Sequence, residues 1–126
     1  MPFVRIDLRR GKDAAYRQQV AQAVYDALLS VGVPERDRFQ AINEYDESSL
    51  IFDPTYLGIR RSADFLAIQI TWNEGRSVEQ KRALYSAIAS NLHTRVQLRP
   101  EDVFISLVEV RKENWSFGNG QAQYAD

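Results

Sequence analysis

The sequence predicts an α+β fold: tandem duplicated β-α-β units forming a four-stranded, mainly parallel-crossover sheet with two helices on one face. Two observations carry this. A strand-like segment, an amphipathic helix-length segment and a second strand-like segment occur twice in the same order. The two halves also align at an offset of 64, which pairs Gly11 with Gly75, Lys12 with Arg76 and Asp13 with Ser77. The strand lead-ins "PERDRF" and "PEDVF" correspond as well. A strand, a helix and a second strand within roughly 40 residues fit a right-handed parallel crossover.

Each element has a local reason. "FVRIDL" has strand composition and follows Pro2, tolerated at the first position of a strand. In the next segment Tyr16, Val20, Ala23, Val24, Ala27, Leu28 and Val31 recur at helical spacing and give one apolar face. Asp13 suits the N-cap, and Gly32 with Pro34 ends the helix. "DRFQAINEY" supplies a second strand, closing a first unit over about 2–45. "DESSLIFDPTYLGIRRSAD" reads as a loop with a short strand. "FLAIQITW" then opens a second unit over about 65–110. Its helix carries the capping box Ser77-x-x-Gln80 and an inward face of Leu84, Tyr85, Ile88 and Leu92. "RPEDVFISLVEV" gives the fourth strand, and 111–126 forms a glycine-punctuated tail, so 1–126 is expected to be one domain. Phe65, Ala67, Phe104, Val108 and Val110 put apolar groups on alternating positions. Two helices cannot cover both faces of a sheet, so oligomerisation through the open face is expected.

Composition narrows the chemistry. With 16 Lys+Arg against 17 Asp+Glu, the formal charge of −1 gives no basic footprint for nucleic acid or an anionic membrane. No cysteine is present, which excludes disulfides, thiolate catalysis and Cys-based metal sites. The single histidine, His93, cannot form a His-rich metal site, and nothing suggests a metal or organic cofactor. No signal peptide or membrane span is visible, so a cytoplasmic location is the default. Pro2 is the residue that stands out. Removal of Met1 would leave a free secondary amine on a rigid ring, able to act as base or acid.

Pro2, "GVPERDRFQ" (32–40), "GRSVEQK" (75–81) and "ENWSFGNG" (113–120), in this order on a duplicated frame, resemble the tautomerase superfamily. The resemblance covers nearly the whole chain and lies closest to the malonate semialdehyde decarboxylase-like subgroup. It implies a homotrimer and a cofactor-independent enol–keto tautomerase acting on a 2-oxo acid or related carbonyl compound. It makes Pro2 the catalytic amine and Arg76 the clamp for a substrate carboxylate, a role suited to a guanidinium fork at a helix start. Asp37 is implied to orient a water or tune the proline, with a turn-capping carboxylate as the alternative. Trp115 and Phe117 are implied as an apolar wall that desolvates Pro2, with plain packing the alternative for Phe117. Tyr124 could reach the same site.

One departure matters. The subgroup's named enzyme has two arginines separated by one residue, and here the first position is Glu74, giving "NEGR". Exchanging a cation for a carboxylate weakens the help for losing CO2 more than it weakens proton transfer. Tautomerisation is therefore the expectation. Malonate semialdehyde decarboxylase/hydratase-type activity, or a trimeric binding module with vestigial tautomerase activity, are the alternatives.

Overall fold

A computed structural model describes residues 1–125; of the tail expected over 111–126, Asp126 lies outside the described residues. The elements run β1 (Phe3–Arg9), α1 (Ala14–Ser30), β2 (Phe39–Tyr45), β3 (Leu66–Asn73), α2 (Val78–Val96) and β4 (Val103–Val110). The sheet order is β2-β1-β3-β4. Each β-α-β unit contributes a parallel pair, β1 with β2 and β3 with β4. The two units meet along an antiparallel seam between β1 and β3, centred on Ile6 opposite Ile68. The sheet is thus mixed, and the fold is the duplicated α+β arrangement that the repeat implies.

The core lies between the sheet and the two helices. Strand alternation sends Val4, Ile6 and Leu8 of β1, and Leu66, Ile68, Ile70 and Trp72 of β3, to the helical side. They meet Val20, Ala23, Val24, Ala27 and Leu28 of α1 and Leu84, Ile88 and Leu92 of α2. Each such large apolar side chain contributes about 1.5–3 kcal/mol by leaving water. Tyr85 is the exception to the expected inward face: it is 38% exposed, because Leu84, Ile88 and Leu92 alone fill the stripe that faces the sheet.

Both helices start, and α1 stops, as their sequences dictate. The Asp13 carboxylate accepts the Tyr16 N–H at 2.8 Å, and Ser77 with Gln80 forms the reciprocal capping box. At the end of α1 the Gly32 N–H donates to Leu29 O at 3.1 Å and the Val33 N–H to Leu28 O at 3.1 Å. This is a Schellman stop in which Gly32 takes φ +98°. The duplication reaches the backbone: Gly11 and Gly75 turn from strand to helix at φ +121° and +115°. In each turn the residue before the glycine bonds the end of the neighbouring strand, Arg10 N–H to Tyr45 O at 2.8 Å and Glu74 N–H to Val110 O at 2.9 Å.

Two local expectations need correction. No strand forms between the units; 46–65 is irregular apart from a 3-10 turn at Tyr56–Gly58. Asp53 accepts the Thr55 N–H at 2.8 Å, and the Arg61 guanidinium donates to the carbonyls of Asp53, Tyr56 and Ile59, so the loop satisfies its own backbone. Phe65 precedes β3 on the open-face side, 6.1 Å from Phe104 between ring centroids, but Phe52 stacks on it at 4.3 Å and buries it, so it is not left bare for a partner. Ala67, Phe104, Val108 and Val110 do alternate onto the side away from the helices, together with the polar Arg5, Gln69 and Ser106. Among the described residues no helix is long and apolar enough to cross a membrane.

The loop is tied to the sheet through Asp102, which is 1% exposed. Its carboxylate accepts the Ser62 N–H at 2.6 Å and the Ser62 hydroxyl at 2.7 Å, with Arg99 Nε at 3.4 Å. Asp102→Ala is expected to cost about 1–3 kcal/mol, because it leaves the part-buried Ser62 donors without their acceptor. Urea unfolding checks this, and Asp102→Asn, which keeps one acceptor, should lose less.

Candidate active site

The topology assembles the site at the head of β1. Because β1 and β2 run parallel, Phe3 lies beside Phe39, and the turn before β2 that carries Asp37 reaches the amino terminus. Because β1 and β3 run antiparallel, Phe3 also lies opposite Thr71, next to the end of β3 that leads into Arg76. Pro2 is buried and precedes the first paired residue, so its missing N–H removes no ladder bond although β1 is a central strand.

In this chain the amine belongs to Met1 and the Pro2 nitrogen is a peptide nitrogen. The Met1 amino group stands 3.8 Å from Asp37 Oδ2, with both side chains largely sheltered. Burial, the largest influence, lowers the pKa of this amine; Asp37 opposes the shift, while Arg76 and Lys112 add to it.

Arg76 is held from two sides. Its Nη1 donates to Asn73 O at 2.9 Å, and its guanidinium lies 4.0 Å from the centroid of the buried Trp72 ring. Burial lowers its pKa and Glu109 opposes that shift. Glu109 is itself paired with Lys81 at 2.7 Å, and this bond holds its carboxyl below the usual range. Glu74 is exposed and meets the fold through its backbone.

The tail closes the site. Trp115 Nε1 donates to Asn73 Oδ1 at 2.7 Å, so Asn73 anchors the tail with its side chain and Arg76 with its carbonyl. Trp115 stacks on Phe117 with centroids 5.7 Å apart, and Tyr124 meets Phe117 edge-on at 4.7 Å. The Gln123 amide bonds Phe117 N–H and Gly118 O, both at 2.9 Å, and locks the turn in which Gly118 takes φ +135°. A cavity of about 200 Å³ results, walled by Met1, Pro2, Phe3, Phe39, Trp115 and Phe117.

The structure therefore gathers Pro2, Asp37, Arg76, Trp115 and Phe117 about one end of the sheet. Trp115 and Phe117 line the cavity itself, whereas Asp37 and Arg76 act on the amine from outside its apolar walls. Phe3, Phe39, Trp72, Asn73 and Lys112 join them without having been singled out in the sequence. The "NEGR" stretch hid Asn73, whose importance depends on a partner 42 residues away. A larger cleft of about 450 Å³ lies at the opposite end of β1, where Lys12, the repeat counterpart of Arg76, is paired with Asp64 at 3.0 Å. That cation is already neutralised. Among the described residues no group of three or more acidic or histidine side chains is placed to hold a metal.

Duplicated β-α-β units around a shared sheet, with an amine, a carboxylate and a guanidinium gathered at the head of the first strand, define the class of fold. Two family profiles, each described as tautomerase enzyme, match residues 37–118 and 2–60, and the chain belongs to the tautomerase superfamily. It is 42% identical over 124 residues to the probable tautomerase YusQ of Bacillus subtilis strain 168, covering 98% of both chains. Among solved structures it resembles the FG41 malonate semialdehyde decarboxylase inhibited by 3-bromopropiolate. That match has a TM-score of 0.90 and 37% identity, over 97% of this chain and 93% of the other. A fused 4-OT described as a symmetric trimer shares the fold at a TM-score of 0.79 and 22% identity, over 98% of each chain.

Proposed function

We propose that the chain, freed of Met1, is a cofactor-independent enol–keto tautomerase of 2-oxo acids that works as a homotrimer. The observation that carries this is the amine at the head of β1, placed between Asp37 and Arg76 beside an apolar cavity. Burial favours a neutral Pro2 amine, the form that accepts a proton at neutral pH. In the ketonising direction the amine takes the proton of the enol hydroxyl at C2. The enolate then collapses to the carbonyl as the ammonium returns a proton to C3, leaving the amine as it began. Arg76 pairs with the carboxylate, Asp37 steadies the ammonium between the two transfers, and Trp115 and Phe117 pack against the substituent on C3. The exposed Phe104 and Val108 on the uncovered sheet face, and the trimer formed by the fused 4-OT, support the trimer.

The likeness to the FG41 decarboxylase favours a second reading, loss of CO2 from malonate semialdehyde, which Glu74 beside Arg76 opposes. The test is ketonisation of phenylenolpyruvate by Met1-free protein, followed in the ultraviolet, with malonate semialdehyde assayed in parallel. Ketonisation well above buffer is expected, and Arg76→Ala should raise KM about tenfold, the loss of one charge-assisted contact. A rate equal to buffer sinks the proposal; CO2 release without ketonisation installs the decarboxylase.

A further inference from the structure

We propose that Lys112 is a second cation for the substrate carboxylate, acting with Arg76. The inference rests on the 2-oxo acid reading of the site. A carboxylate offers two oxygens. Arg76 commits Nη1 to the Asn73 carbonyl and one face to Trp72, so only part of its fork is free. The apolar cavity beside Pro2 has a polar neighbour of about 380 Å³, lined by Asn73, Glu74, Lys112 and Tyr124 and by the mutually paired Arg111 and Glu113. Trp115 borders the first and Asn73 the second, and the 2.7 Å hydrogen bond between them sets the apolar and the polar cavity side by side.

Lys112 stands at the polar end by construction. It opens the 3-10 turn Lys112–Asn114 directly after β4, whose last residue, Val110, is paired with Asn73. Its carbonyl accepts the Trp115 N–H, which ties its backbone to the same anchor. Arg111 is held by Glu113 at 3.8 Å, whereas Lys112 forms no ion pair among the described residues. Of the charged groups nearby, Glu74 and Glu113 oppose an anion. Lys112 and Arg76 both disfavour the charged form of the amine at the head of β1, which Asp37 favours.

The test is binding, so that it does not depend on turnover. Met1-free wild type, Lys112→Met, Lys112→Arg and Arg111→Met are titrated with phenylpyruvate and with its carboxamide, and the amine is followed by NMR against pH. Lys112→Met is expected to weaken the acid roughly five- to tenfold while leaving the amide unchanged. Lys112→Arg should restore binding, and Arg111→Met should have no effect. Losing one of the two cations that disfavour the charged amine should move its titration to higher pH in Lys112→Met. Equal losses for acid and amide, an unchanged acid affinity, or the same loss in Arg111→Met would each overturn the proposal. Ketonisation that ignores Lys112 removes this inference alone. Lys112-dependent carboxylate binding without ketonisation keeps the inference and removes the tautomerase reading.

Discussion

Protein freed of Met1 is expected to ketonise phenylenolpyruvate about 10²- to 10⁴-fold faster than the same chain with Met1 in place, the range a positioned acid–base group supplies. With Met1 attached, the Pro2 nitrogen is an amide and has no basicity. The Met1 side chain, 7% exposed, also walls one side of the apolar cavity beside Pro2. Intact mass identifies the two forms, and single-turnover rates compare them. Pro2→Ala should fall between, since it keeps an amine but trades a rigid secondary one for a mobile primary one.

The pH profile gives the same prediction a second check. With the neutral amine as the proposed base, kcat/KM is expected to rise as pH passes its pKa, and burial should place that limb below the ordinary α-amino range. Asp37→Asn removes the anion that stabilises the charged form, so the limb should move further down in pH. Arg76→Ala removes an opposing cation and should move it up. Displacements in the reverse directions would mean that the titrating group is not this amine.

Trp72→Ala is expected to cost about 3–5 kcal/mol of stability and to disable the site with it. The indole is fully buried between sheet and helices, and its outer face is the surface on which the Arg76 guanidinium rests. Removing it opens a cavity in the core and takes away the platform on which Arg76 rests. Trp72→Phe separates the two effects. The indole Nε1 is buried without a hydrogen-bond partner, so phenylalanine sacrifices no bond and retains an aromatic face. Denaturant unfolding should show a much smaller loss for Trp72→Phe, with KM raised modestly. A Trp72→Phe protein as unstable as Trp72→Ala would contradict this account of the ring.

The sequence made the repeated elements legible because their signals are local. Asp13, Ser77 with Gln80, and Gly32 each act within a few residues, and the 64-residue offset exposed turns that share a left-handed glycine. What stayed hidden depends on pairing across the sheet. Whether Phe65 is left bare on the open face depends on Phe52 arriving from the loop. Tyr85 fits the helical period, but the width of the buried stripe is set by packing against α1 and the sheet. Of the site, Pro2, Asp37, Arg76, Trp115 and Phe117 could be named in advance through a family likeness. Asn73 and Lys112 could not, because the antiparallel seam and the turn after β4 bring them there.

The lead-in motifs make Asp102 the repeat counterpart of Asp37, just as Lys12 is the counterpart of Arg76. One carboxylate faces an amine at the head of β1; the other clamps the Ser62 amide ahead of β3. The two corners share a blueprint but cannot share an occupation. A nitrogen in mid-chain is bonded to a carbonyl, so the backbone at the corner ahead of β3 offers no basic amine. Duplication in a single chain therefore yields one workshop and one vacant twin. The twin is free to drift towards structural duty, as Lys12 with Asp64 and Asp102 with Ser62 have done.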